Sequence, residues 1–242
     1  GQMRKSGHEY ITHPLAVAYI LATMHIDINI IVAALLHDVP EDTKVTLEDI
    51  EKNFGKEIKN MVEGITKLGK LKYRGVERYI ENLRKMFIAM AEDIRVMIIK
   101  FADRIHNLQT LDSLPPQKQY RIAIESLEIY AAIANRLGMA EMKGQLEDLA
   151  FKYVHPKEYQ QTKKLMDEKL RGKEKSLEEL EQKAIEELKK SGIQIVYLKG
   201  RQKRLYSFYQ KLVRKGNDIT KIYDAVAIRV IVPTIADCYA TL

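Results

Sequence analysis

INIIVAALLHDVPEDT, residues 28–43, is almost wholly apolar from Ile28 to Leu36 and then sets one imidazole and three carboxylates within six residues. An apolar run of that kind, nearly all round, predicts a central buried helix. Pro40 cannot continue it, because its ring would meet the carbonyl of Leu36. Glu41 and Asp42 are therefore expected just past a helix end or kink, beside the core. Two readings fit: a polar helix terminus, or half of a metal site. Chance alone gives roughly 0.3 His-Asp pairs in a chain with 6 His, so the dipeptide by itself decides nothing.

Outward from this stretch the chain reads as helix after helix over 14–140. Pro14 suits a first helical turn ahead of LAVAYILATM. Thr46 and Asp49 make a capping-box start for LEDIEKNF, with Gly55 as its stop. ENLRKMFIAMAED predicts a helix, and IRVMIIKFADRIHNLQTL a further buried one. After the break at Pro115-Pro116, residues 120–154 predict two more. From about 157 to 190 Lys, Glu, Gln and Leu dominate, which predicts one long solvated connector helix. The period changes beyond Gly192: IQIVYLKG reads as a strand, KRLYSFYQKLVRKG as a helix, AVAIRVIVP as a buried strand and TIADCYATL as a helix start. A strand–helix–strand unit is too small for a core of its own, so the chain is expected to be cut there. The fold class expected is mainly α, divided into 1–156, a connector at 157–192 and an incomplete α/β part at 193–242.

Composition narrows the chemistry. Cys238 is the only cysteine, which excludes disulfides and cysteine-based zinc sites within the chain and suits a reducing, cytoplasmic setting. No apolar run reaches membrane-spanning length, and no signal-peptide pattern opens the chain. Forty Lys and Arg against 33 Asp and Glu give a net charge of +7, which favours an anionic partner. With no Trp, stacking platforms for single strands are scarce, so a nucleotide suits better than a polymer.

Two more residues turn the odds on the His-Asp pair. His13 stands at a helix entrance, and Asp103 lies within an otherwise apolar helix, where a lone carboxylate is costly unless paired or metal-bound. His13, His37, Asp38 and Asp103 form a mixed nitrogen and oxygen set that suits Mn, Fe or Zn better than Ca. Glu41 and Asp42 would then orient a water or shuttle protons. Arg104 is not assumed to pair with Asp103, and His106 reads as a packing histidine. Arg4 and Lys5 could hold a phosphate, stack on a base or merely be solvated. Asn107 and Thr110, about one and two turns beyond Asp103, could share its cavity or serve as solvated or capping groups.

The ordered strings RKSGHEYITHP (4–14), HDVPEDT (37–43), TKLGKLKY (66–73), KFADRIHNLQTL (100–111), EIYAAIANRLGM (128–139) and QLEDLAFKY (145–153) resemble the Rel/SpoT family end to end. These bacterial enzymes make and destroy the alarmone (p)ppGpp in the stringent response. The resemblance implies a helical HD hydrolase that removes the 3′-pyrophosphate with Mn²⁺, leaving GDP or GTP. It makes His13, His37, Asp38 and Asp103 the metal ligands, and Glu41 and Asp42 the acids acting on the water. Arg4, Lys5, Ser6, Tyr10, Asn107 and Thr110 would line the nucleotide pocket. The HDxxEDT pattern is intact, as in hydrolysis-competent members; Pro40 stands where an aliphatic residue is expected. GRQKRLYSFYQKL (200–212) and IYDAVAIRVIV (222–232) resemble the synthetase half, with Arg204 in place of a His. Seven basic groups and no acid occupy 199–215. The resemblance implies that Arg201, Lys203, Ser207 and Lys211 contact ATP and that Asp224 binds Mg²⁺. The catalytic Glu and the GTP-binding portion are expected beyond Leu242, so synthesis from ATP and GDP or GTP is expected to be absent; ribosome association would need other regions. The rivals are an HD phosphohydrolase acting on another nucleotide and a non-catalytic nucleotide-binding fragment.

Overall fold

The computed structural model describes residues 2–4, 7–69, 76–171 and 173–242; the side chains of 69–82 and 172–176, and part of the TKLGKLKY string with them, lie outside it. The chain forms two compact units, Gly1–Val154 and His155–Leu242.

Among its described residues the first unit is built from helices, with one isolated bridge ahead of them. It contains α1 (Thr12–Thr23), α2 (Ile28–Leu36), α3 (Val39–Asp42), α4 (Leu47–Phe54), α5 (Lys56–Gly69), α6 (Val76–Glu92), α7 (Ile94–Gln109), α8 (Pro116–Glu125), α9 (Ala131–Arg136) and α10 (Ala140–Val154). The helix at its centre is α7, packed on by α1, α2, α5, α6 and α10. Its N-cap Asp93 accepts from the Arg95 amide at 2.9 Å, and Val96, Met97, Ile99, Phe101, Ala102, Ile105 and Leu108 are buried along it. Helix α2, expected to be central, buries only Ile30, Ala33 and Ala34, and Ile28 is 65% exposed. Helix α2 packs on α1, α5 and α7, which leaves the side of Ile28 and Leu35 exposed, whereas α7 is packed by five helices. Gly64 lets α5 come close to α7, since a Cβ there would lie 2.8 Å from Val96 Cγ2.

The start of α4 has the capping box expected from Thr46 and Asp49, and Gly55 ends it at φ +89°. Between α8 and α9 the helix widens into a π turn, Ser126–Tyr130, with the Ser126 hydroxyl donating to the Ile122 carbonyl at 2.6 Å. The pair of helices expected over 120–154 is therefore α8–α9, joined through that turn, and α10. Ahead of α1, Met3 and Glu9 form an antiparallel bridge, and the Arg4 amide donates to His8 at 2.8 Å. Gly7 turns this loop at φ +82°, a conformation glycine adopts without steric cost.

The second unit holds α11 (Pro156–Leu170), α12 (Lys173–Lys190), β1 (Tyr197–Gln202), α13 (Leu205–Arg214), β2 (Val226–Ile231) and α14 (Ile235–Ala240). The stretch expected as one solvated helix is two, because Arg171 leaves the helical region at ψ 123°. The first of them also buries a face: Leu165, Met166 and Leu170 pack on Phe208, Leu212, Ile222 and Ala225. That contribution gives the strand–helix–strand segment the core it could not make alone. The two strands pair antiparallel, Tyr197 opposite Ile231 and Arg201 opposite Ala227. The burial expected of β2 is not realised: its residues alternate half-buried and exposed, since β1 is its partner among the described residues. Gly200 is required where α12 crosses β1, because a Cβ would lie 2.6 Å from Leu177 Cδ2. Among the described residues no helix is long and apolar enough to cross a membrane.

Candidate metal centre

Four chain segments bring the expected ligands together. His13 is the second residue of α1, His37 caps the end of α2, Asp38 caps the start of α3, and Asp103 sits on the third turn of α7. Pro40 falls in the first turn of α3, where its missing N–H costs nothing. The chain can thus bend sharply after His37 and place two ligand types side by side. His13, His37 and Asp38 each offer an atom within 4.8 Å of the others. Asp103 stands outside that group of three but reaches His13, with Oδ1 3.3 Å from Nε2.

The His37 ring carries the clearest chemical signal. Its Nδ1 is 2.6 Å from the Ala34 carbonyl, which can only accept, so Nδ1 bears the proton of the neutral ring. Its Nε2 is then a bare lone pair, buried and, among the described residues, without a hydrogen-bond partner, 3.1 Å from Asp38 Oδ1. Two acceptors facing each other in a buried site repel unless a cation lies between them. A divalent ion fits this donor set, with carboxylate and imidazole ligands and the Ala34 carbonyl fixing the ring.

Asp103 has partners that the sequence did not disclose. Lys100 Nζ donates to its Oδ2 at 2.6 Å, and Asn107 Nδ2 to its Oδ1 at 2.6 Å. Burial alone would raise this carboxyl, but the Lys100 ammonium holds it well below the usual carboxylate range. Tyr10 donates to Asp38 Oδ2 at 2.6 Å. Burial, followed by the Asp38 and Asp42 carboxylates, pushes its phenol up.

Among the described residues, two cavities lie beside this cluster, and Tyr10 lines both. One, of about 330 Å³, brings together Arg4, Asn107, Thr110 and Arg104 with Leu111, Leu114 and Ile122. The other, of about 300 Å³, is bounded by Asp38, Asp42, Ile11, Pro14, Leu35 and Val39. Of the expected pocket residues, Arg4, Tyr10, Asn107 and Thr110 thus meet at one cavity, while Lys5 and Ser6 lie outside the described residues. Glu41 and Asp42 are exposed on the one-turn helix α3, and the Asp42 carbonyl accepts from Gln2 Nε2 at 2.9 Å.

Arg104 and His106 belong to this site more fully than sequence reading suggested. Arg104 does turn away from Asp103: it donates to the Tyr130 hydroxyl at 2.9 Å, lies 4.3 Å over that ring and pairs with Glu125 at 3.6 Å. It nevertheless walls the larger cavity. His106, expected to be a packing residue, contacts His13 and Arg4 instead. Its position three residues after Asp103 puts both on one face of α7, the one signal that could have found it.

In the second unit, Lys203 and Lys211 grip opposite oxygens of Asp224 at 2.8 and 2.7 Å and hold its carboxyl far below the usual range. Ser207 is in the first turn of α13, and Arg201 is exposed on β1.

Comparison with known proteins places this geometry in a class. Residues 1–140 match the HD-domain family model, and the chain belongs to that family. Residues 200–242 match the region found in RelA / SpoT proteins. The chain is 47% identical over its whole length to a guanosine-3′,5′-bis(diphosphate) 3′-pyrophosphohydrolase of Haemophilus influenzae, of which it covers 36%. It is 48% identical to the bifunctional (p)ppGpp synthase/hydrolase SpoT of Escherichia coli, covering 34% of that protein. It is also 46% identical to a GTP pyrophosphokinase of Streptomyces coelicolor, covering 28%. The chain thus spans about a third of the length of these relatives. A solved structure described as a metazoan ortholog of SpoT that hydrolyzes ppGpp superposes with a TM-score of 0.50 at 26% identity, over 64% of this chain and 87% of that one.

Proposed function

We propose that the first unit hydrolyses the 3′-pyrophosphate of (p)ppGpp, releasing pyrophosphate and leaving GDP or GTP, with Mn²⁺ as the working ion in a cytoplasmic setting. The observation that carries the reading is the buried Nε2 of His37, without a partner among the described residues and aimed at Asp38, with His13 and Asp103 beside it. His13, His37, Asp38 and Asp103 would hold the ion. When bound, it supplies Lewis acidity that lowers the pKa of a water and screens phosphate charge.

The chain's own residues do the rest. Arg4 and Asn107 offer donors from the larger cavity, and Thr110 a hydroxyl, to a nucleotide placed there; by family resemblance Lys5 and Ser6 would contact the nucleotide too. Arg104, held by Glu125 and stacked on Tyr130, adds a fixed positive charge to the same wall. Glu41 and Asp42 orient the attacking water and take up its proton, which is then delivered toward the leaving 3′-oxygen as its bond to phosphorus breaks. Tyr10 keeps Asp38 turned toward the histidines.

The test is Asp38→Ala. It is expected to lose both bound Mn²⁺ and ppGpp turnover, since truncating a ligand leaves a misshapen site. A metal-loaded, fully active Asp38→Ala chain would overturn the assignment, and turnover of another nucleotide in preference to ppGpp would overturn the substrate.

In the second unit we read Lys203, Lys211, Arg201 and Ser207 as an ATP phosphate cradle and Asp224 as a Mg²⁺ ligand. The support is the RelA / SpoT match over 200–242 and the convergence of both lysines on that carboxylate.

A further inference from the structure

His106 makes two contacts through one atom. Arg4 Nη1 lies 3.0 Å and His13 Nδ1 2.7 Å from His106 Nδ1. A guanidinium can only donate. His106 Nδ1 is therefore bare and accepting, and the proton between the two imidazoles must reside on His13 Nδ1. For neutral His13 this leaves Nε2 as the lone pair, and Nε2 is the atom that faces Asp103 Oδ1 at 3.3 Å and Asp38 Oδ2 at 3.6 Å. The alternative tautomer of His13 would point a proton at the two carboxylates and bury the lone pair against another.

The same guanidinium also donates through Nη2 to Asn107 Oδ1 at 2.9 Å, and Asn107 in turn donates to Asp103 Oδ1. Arg4 thus forks, with one side chain between it and each of two expected ligands. Its His13 arm is short, with ring centroids 4.9 Å apart.

We infer that His106 is a positioning residue: held as an acceptor by Arg4, it fixes His13 with its proton on Nδ1 and aims the Nε2 lone pair into the metal site. This rests on the metal reading given above. It assigns His106 a role in ligand orientation, and it makes Arg4 an outer member of the metal site as well as a wall of the cavity.

The experiment uses the full 242-residue chain labelled with ¹⁵N-histidine and freed of metal. Long-range ¹H–¹⁵N spectra report which ring nitrogens carry protons. The expected result is a proton on His13 Nδ1 and none on His106 Nδ1; a proton on His106 Nδ1 would overturn the inference. Mn²⁺ titration followed by electron paramagnetic resonance gives a second readout. His106→Leu removes the acceptor and should weaken Mn²⁺ binding about 10- to 100-fold, the usual size of an outer-shell loss. His106→Asn offers Oδ1 to both donors and should recover most of that. Folded His106→Leu protein that binds Mn²⁺ as tightly as the parent would also overturn the inference. Should His106→Leu fail to fold, Arg4→Met, at a half-buried site, removes the guanidinium and should release the fixed proton arrangement of His106; an unchanged spectrum counts against the relay. A parent chain that binds no Mn²⁺ would refute the metal reading, while the ring-proton positions would still judge the relay separately.

Discussion

Replacing Lys100 by Met keeps the aliphatic stem and removes the ammonium from Asp103. The pair is close, at 2.6 Å, and enclosed, with side-chain exposures of 17% and 7%. At an effective dielectric near 20 the attraction is about 6 kcal/mol, most of it cancelled by desolvation. What remains when one partner of a buried pair is removed is typically about 3–5 kcal/mol, because the other charge is stranded. Asp103 keeps the Asn107 amide, which places the loss near the lower end, at about 3 kcal/mol. That is a large share of the roughly 5–15 kcal/mol that holds a domain folded. Urea denaturation of the full chain in chelator should show it. With saturating Mn²⁺ the loss should shrink, since a cation beside Asp103 replaces part of the missing charge. In an Asp103→Asn background Lys100→Met should cost much less, the signature of a coupled pair. A Lys100→Met chain within about 0.5 kcal/mol of the parent in chelator would refute the reasoning, because surface-like substitutions behave that way.

Other outcomes follow from the same geometry. Glu41→Gln and Asp42→Asn preserve shape and remove charge, so Mn²⁺ should stay bound while ppGpp turnover falls about 10²–10⁴-fold, read by paired metal analysis and kinetics. Asp93→Ala removes the N-cap of α7 and should cost about 1 kcal/mol at pH 7 in urea denaturation. The hydrogen bonds from the Arg95 side chain hold the Asp93 carboxyl below 3.8. A depressed folded value means its stabilisation is complete above the ordinary range and is lost as pH falls through the folded value, so parent and variant should converge well below pH 3.8. Lys211→Met should weaken ATP binding by about tenfold, the scale of one charge-assisted hydrogen bond, and ATP binding by the parent should weaken with added salt in calorimetry.

How much of this was legible depended on whether a residue's role is set locally. The capping box of Thr46 and Asp49, the bend imposed by Pro40 and the helical period of α7 are local, and the structure follows them. His13, His37, Asp38 and Asp103 could be grouped because a lone carboxylate inside an apolar helix needs a partner and the ordered motifs resemble one family, whereas the distances among them could not be read. Lys100 could not: a lysine three residues before an Asp on a helix faces it or faces water according to what else packs there. His106 read as packing because its meaning comes from Arg4, about a hundred residues away in sequence. The division at Arg171 was hidden by a continuous charged pattern that suits one helix or two. The apolar character of β2 suggested full enclosure, but enclosure is decided by how many strands lie beside it, and here the described partner is β1.

The most direct test of the central claim follows the phosphorus itself. ppGpp labelled at the terminal phosphate of its 3′ arm is incubated with the Mn²⁺-loaded chain, and the products are separated. The label is expected in pyrophosphate, in step with GDP, with none in orthophosphate. Label appearing as orthophosphate, or ppGpp left intact by a folded, metal-loaded chain, would contradict it.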